Sequence, residues 1–207
     1  MSTEVPSQSQ RIEFWKVSYA RSSFIQAAEF AKLILSNCGN DMRHPLRSPL
    51  TIAIVAAYGR PFKQRPAAIR LTDEWIPSAR KPTHDKLILL RDKVIAHRDL
   101  EGPNSSGGFV SRLQVVMQAD HLTIPTISPI ITNSEAQNVI ALIDELVPAM
   151  DQAGHAFVTA HFPRPLDDGL YVVSLDENPS EWLIRRRDPL IAVRSSLDPG
   201  ETFEAPI

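Results

Sequence analysis

Cysteine is nearly absent from this chain of 207 residues: Cys38 stands alone, so no internal disulfide can form and no Cys-based zinc site can be built. No apolar run approaches the roughly 18 residues that a membrane span needs. The opening MSTEVPSQSQ has neither the basic stretch nor the apolar stretch of a secretory signal. The expectation is a cytoplasmic protein that does not engage a membrane. Glycine signatures are missing too. There is no Walker A loop, no dinucleotide-binding glycine pattern and no G-x-S-x-G elbow, which removes the P-loop, Rossmann and serine-hydrolase readings. Of the six histidines, His155 and His161 fall on one expected helix without a third ligand at metal-binding spacing, so no metal and no cofactor are expected. Internal repeats and low-complexity tracts are also absent.

What the chain does have is an apolar share of 43%, enough for a core, and an uneven distribution of charge. The net charge is −2, yet residues 43–98 hold twelve Lys/Arg against four Asp/Glu, a balance of +8, and the remainder holds ten against twenty. Such asymmetry suits a phosphate-binding surface or an acidic partner, and equally a basic segment that folds against an acidic remainder.

Hydrophobic periodicity divides the chain. Residues 1–8 read as a disordered leader. Ile12, Trp15 and Tyr19, then Phe24, Ala28, Ala31 and Leu35, recur at three- and four-residue intervals and predict a helix over 10–37, with Gly39 as its C-cap. Ser48-Pro49 opens a second helix that Gly59 and Pro61 should end at about Tyr58. A basic, proline-punctuated stretch follows over 60–82. Thr83 should cap a third helix running to about Arg98. Residues 109–118 and 121–124 read as two short strands joined by a turn at 119–120. Ser134 should cap a long fourth helix to about Ala160, kinked at Pro148. After Pro163, residues 170–175 and 182–187 read as a possible hairpin, followed by a loose tail. The fold class is mainly α: a bundle over 9–163 with a β-hairpin insertion at about 109–124 and a C-terminal extension over 164–207.

The third helix carries an anomaly. At about 100° per residue, Leu87, Ile88, Leu90, Val94 and Ile95 make a broad apolar face, and Asp85, Asp92 and Asp99 line the opposite one. Arg91 falls in the middle of the apolar stripe and His97 at its edge. A guanidinium on a buried face costs several kcal/mol unless it is paired or kept wet. Either Arg91 meets an internal carboxylate (Glu29, Asp144 or Glu145 are candidates) or the stripe opens onto a cleft. Arg offers a fixed charged fork for phosphoryl oxygens, and His exchanges a proton near neutral pH. Tyr58, Arg60 and Lys63, with Arg65, could extend a phosphate track toward that cleft. His97, at a helix end, could equally be a cap on the last carbonyls.

The string Arg91-Asp92-Lys93-Val94-Ile95-Ala96-His97 resembles the R-polar-x(3–5)-H signature of HEPN proteins. The longer run from His84-Asp85-Lys86-Leu87 to Ala96-His97-Arg98-Asp99 is similar to bacterial HEPN-like proteins of the abortive-infection kind, as is Tyr58-Gly59-Arg60-Pro61-Phe62 upstream. The likeness covers roughly residues 10–162 in helix order, and its specific part is some thirty residues. The resemblance implies an up-and-down helical bundle that forms a homodimer and acts as a metal-independent endoribonuclease in phage defence or as a toxin. It implies His97 as the proton-transfer group, Arg91 as the stabiliser of charge on phosphorus and Asp92 as the residue orienting either one. Arg60, Lys63 and Arg98 would bind the RNA substrate, and a neutralising protein partner is implied as well. Many HEPN-like proteins are non-catalytic, so a dimeric binding or regulatory module is the alternative.

Overall fold

A computed structural model describes residues 5–63, 70–92, 116–118, 121–123, 130–163 and 170–186. They are mainly helical, with four α-helices in the expected order: α1 (Gln8–Leu33), α2 (Arg47–Lys63), α3 (Lys81–Leu89) and α4 (Asn133–His161). Two antiparallel hairpins accompany them, β1 (Val116–Gln118) with β2 (His121–Thr123) and β3 (Leu170–Val173) with β4 (Leu183–Arg186). Among the described residues no helix is long and apolar enough to cross a membrane. The chain divides into two compact units, one of residues 13–156 and one of residues 1–12 with 157–207.

In the larger unit the helices bury one continuous apolar cluster. Val17, Ala20, Phe24, Ala27, Ala31 and Ile34 line the inner face of α1 at the three- and four-residue spacing that the sequence shows. Its alanines let neighbouring side chains approach closely. The amphipathic α4 supplies Val139, Leu142, Ile143, Leu146 and Met150. Each full burial of such a large apolar side chain contributes about 1.5–3 kcal/mol. After Leu33 the backbone widens into a π-type turn, Ile34–Cys38, and Gly39 closes it at φ 51°, the left-handed conformation that favours glycine. Arg47, fully buried at the start of α2, ties three segments together. It donates to the carbonyls of Gly39 (2.6 Å), Asp41 (3.0 Å) and Ile131 (2.9 Å) and to Oδ1 of Asn133 (3.0 Å).

Several helix limits differ from the sequence reading. Gly59 and Pro61 do not stop α2, which runs through both to Lys63. Pro61 lies in the last turn, where only one ladder bond is lost. Thr83 is not the cap of α3; a 3-10 turn, Ser78–Arg80, leads directly into Lys81, with Pro82 in the first turn. Residues 90–92 widen into another π-type turn, and the part of this helix expected over 93–98 lies outside the described residues. Ser134 does not cap α4. Thr132 does, in a capping box: its Oγ1 accepts from the Glu135 amide (3.3 Å), and its own amide donates to Glu135 Oε2 (2.7 Å). The helix continues through Pro148, whose exposed position lets water reach the carbonyl left without a partner. In the β1–β2 hairpin Gln118 pairs with His121, which agrees with a turn at 119–120. That turn and the strand expected over 109–115 lie outside the described residues.

The smaller unit absorbs the start of α1 and the second hairpin. Residues 5–8, expected in a leader, form the approach to α1 and its first residue. Ser7 and Gln10 make a second capping box: the Ser7 amide donates to Gln10 Oε1 (2.7 Å) and the Gln10 amide to Ser7 Oγ (3.3 Å). Arg11 is buried, donating to the carbonyls of Pro6, Ser174 (2.7 Å) and Asp176 (2.6 Å). Phe162 meets Trp182 and Tyr171 edge-on, with ring centres 5.7 and 6.0 Å apart.

Candidate functional site

One face of α3 carries His84, Leu87 and Ile88 at intervals of three and four residues, so these side chains project to the same side, and Arg91 follows in the widened turn beyond the helix. Leu87 anchors the face in the core. At its C-terminal end Arg91 lies across α2 at Gly59. A Cβ at Gly59 would stand 2.7 Å from Arg91 Cδ and 3.1 Å from its Cγ, which explains a glycine in mid-helix. The Arg91 side chain is only 19% exposed, and its Nη1 donates to Asp92 Oδ1 at 2.8 Å. The other oxygen, Asp92 Oδ2, takes Lys63 Nζ at 2.9 Å. The widened turn at 90–92 shifts the helical phase, bringing Asp92 from the expected solvated face into a half-buried position between the two cations. Burial raises the Asp92 pKa, but hydrogen bonds and charge from Lys63 and Arg91 outweigh it and hold the carboxyl below the usual range.

Two turns back, His84 is 2% exposed, with a polar group near each ring nitrogen. Tyr58 Oη lies 2.8 Å from Nδ1, and Asp73 Oδ1 lies 3.4 Å from Nε2. The lysine Lys81 bonds the other Asp73 oxygen at 2.7 Å and holds that carboxyl ionised, with burial opposing and His84 assisting. An ionised carboxylate only accepts, so Nε2 carries the imidazole proton, Nδ1 accepts, and the Tyr58 hydroxyl donates. Burial pushes the His84 pKa down, with Asp73 opposing, and pushes the Tyr58 hydroxyl far up. Phe24 and Phe62 pack around Tyr58 with ring centres 5.1 and 5.6 Å away, and Phe62 meets His84 edge-on at 4.8 Å.

Both clusters border one groove of about 420 Å³ between the end of α2, residues 70–73 and α3. Its floor is apolar, from Phe62, Leu71 and Ile88, and its walls are charged, with Lys63 and Arg70 facing Asp73, Asp85 and Asp92. A smaller cavity of about 240 Å³ lies between α3 and α4 beside Lys86 and Glu135, which pair with each other.

Of the residues singled out in the sequence, Arg91, Asp92 and Lys63 come together. Arg60 does not join them; its Nη1 donates to Gln26 Oε1 at 2.9 Å. Tyr58 is no part of a phosphate track, because the ring cluster seals it from solvent. His97 and Arg98 lie outside the described residues, as does Arg65. Two of the three internal carboxylates considered for Arg91 are engaged elsewhere, Glu29 with Lys32 and Glu145 with Arg80. His84 and Asp73 were missed as site residues. The signal for His84 was present: it occupies the same stripe as Arg91, seven residues earlier. Asp73 sits in an irregular stretch where no periodicity could place it. Comparison with protein-family models, with curated proteins and with solved structures finds no match to this chain.

Proposed function

We propose that this chain is a HEPN-type, metal-independent endoribonuclease, an up-and-down helical bundle acting as a cytoplasmic homodimer on RNA phosphodiesters. One observation carries the reading. Among the described residues Lys63 and Arg91 converge on the single carboxylate of Asp92 beside an open groove that Lys63 itself lines, so a phosphate entering the groove meets that lysine. Among the described residues Arg91 pairs with its neighbour Asp92 and not with an acid of another helix.

In the proposed reaction the ribose 2′-oxygen attacks phosphorus as the bond to the 5′-oxygen breaks, leaving a 2′,3′-cyclic phosphate. His97 takes the 2′-hydroxyl proton while water protonates the departing 5′-oxygen, or water takes the first proton and His97 gives the second. Arg91, oriented by Asp92, stabilises the charge that builds on the phosphoryl oxygens. Lys63, Arg60 and Arg98 hold flanking phosphates. On an ideal helix six residues separate the Arg91 and His97 backbones by about 9 Å, a gap that Arg91's length or the second subunit of a dimer would close. A defence or toxin role with a neutralising protein partner follows from the sequence resemblance.

The test is cleavage of RNA by the purified full chain in EDTA. Cleavage should vanish in His97→Ala and in Arg91→Ala while the fold and dimer persist. Activity that survives both substitutions refutes the assignment. A non-catalytic binding module is favoured by one feature, the three carboxylates of the groove, which repel a polyanion. It predicts no turnover, and a co-purifying partner lost on charge reversal at Arg60 or Arg91.

A further inference from the structure

The groove holds more than a phosphate needs. An apolar floor, cations at the Lys63 end and a donor–acceptor pair beside His84 and Asp73 make a site of mixed chemistry. Its volume of about 420 Å³ falls within the range of small-ligand sites. Phe62 is locked by its neighbours' rings, so the floor is preformed. Each polar group on the His84 side is fixed as well. The ionised Asp73 carboxylate beside Nε2 can only accept, so Nε2 presents N–H and Nδ1 accepts from the Tyr58 hydroxyl. Lys81 steadies Asp73 through Oδ2 and keeps it ionised. The contact between His84 Nε2 and Asp73 Oδ1 is 3.4 Å, longer than a good hydrogen bond, so both groups retain capacity for a better partner.

We propose that this groove binds a nucleotide with a guanine base, its phosphate toward Lys63 and its Watson–Crick edge toward Asp73 and His84. A carboxylate accepts two parallel donors, and guanine alone among the four RNA bases offers two adjacent ones, N1–H and the N2 amino group. Next to them stands O6, an acceptor for the His84 Nε2–H. Adenine and cytosine each bring one amino donor to the same carboxylate, and uracil brings one imide N–H. The ring lies on Phe62, Leu71 and Ile88, an apolar bed that makes no choice among bases. The proposal deepens the ribonuclease reading, in which the groove holds the nucleotide beside the scissile phosphate, and it rests on that reading for the bound base to belong to RNA.

The experiment titrates full-length His97→Ala protein with 5′-GMP, AMP, CMP and UMP by calorimetry. GMP should bind about ten-fold or more tightly than the others, the discrimination of one bidentate pair. Asp73→Asn, an isosteric change at a side chain 60% exposed, should abolish that preference. Lys63→Ala should weaken all four nucleotides alike, because it meets only phosphate. In a second measurement GMP should shift the His84 imidazole resonances of the same protein. Failure of all four to bind, equal affinities, a preference that survives Asp73→Asn, or unmoved His84 resonances would each overturn the proposal. GMP binding by a protein that cleaves no RNA leaves the subsite standing and removes the ribonuclease. Cleavage with no effect of the base does the reverse.

Discussion

Replacing Gly59 with alanine sets two opposed effects against each other, and their sizes follow from one contact. Inside a helix, Gly→Ala favours folding by about 1 kcal/mol through the entropy of the unfolded backbone. Here the new methyl would stand 2.7 Å from Arg91 Cδ, 3.1 Å from Cγ and 3.3 Å from Nε, so the arginine must leave its place across α2. Overpacking of that kind costs about 1–3 kcal/mol. The single variant should therefore lose between zero and about 2 kcal/mol relative to the parent. With Arg91→Ala already present the obstruction is gone, and the same change at Gly59 should stabilise by about 1 kcal/mol. The assay is a double-mutant cycle of four proteins followed by thermal melting, where about 1 kcal/mol moves the midpoint by roughly 2–4 °C in a chain of this size. Under the proposed function Gly59→Ala should also depress RNA cleavage by about a hundred-fold or more, approaching Arg91→Ala itself, because Arg91 is pushed off Asp92. An identical stability change at Gly59 in both backgrounds would refute the idea that the glycine exists to admit Arg91.

Two further outcomes concern buried polar groups. Arg47→Met fills the site but leaves four carbonyl-type oxygens without their donor, so the urea midpoint should fall by an amount equal to about 3–5 kcal/mol with the slope unchanged; a loss under about 1 kcal/mol would contradict the bonding described. Because burial depresses the His84 pKa, the folded chain refuses a proton that the unfolded chain accepts below about pH 6.5. This contribution to stability is full above that pH, declines as pH falls through it and levels off below the folded-state value. The carboxylates whose pKa values are lowered, Asp73, Asp92 and Glu135, lose their contributions at lower pH still. Denaturation curves between pH 8 and roughly pH 5 should show that decline in the parent and not in His84→Gln; an unchanged slope in the variant would remove His84 as its source.

Local signals proved readable where local physics decides the outcome. The α1 spacing, the Gly39 cap and the order of four helices follow from side-chain periodicity and one left-handed residue. Both capping boxes are legible as Ser-x-x-Gln at residue 7 and Thr-x-x-Glu at residue 132, with Ser134 a competing cap signal beside the second. Gly59 misled for a different reason. A glycine before a proline reads as a stop, and only the approach of Arg91, thirty-two residues on, accounts for its place inside α2. The site was half legible for the same reason. Arg91 stood out as a charge on an apolar stripe, but the Lys63 that shares its Asp92 carboxylate and the Tyr58–His84–Asp73 chain are made by the crossing of α2, α3 and an irregular segment. No periodicity within one element encodes such a crossing.

Arg11 has a consequence for the timing of folding. Its guanidinium reaches carbonyls 163 and 165 residues further along the chain, at Ser174 and Asp176. Until synthesis has passed those positions the arginine has only the Pro6 carbonyl, and closing so long a loop is entropically slow. Residues 13–156 close shorter spans, the Arg21–Asp151 pair among them at 130 residues, and are complete earlier in synthesis. A nascent chain should thus assemble its larger unit while the opening turn of α1 still waits, a charged end exposed to whatever chaperone or protease arrives first.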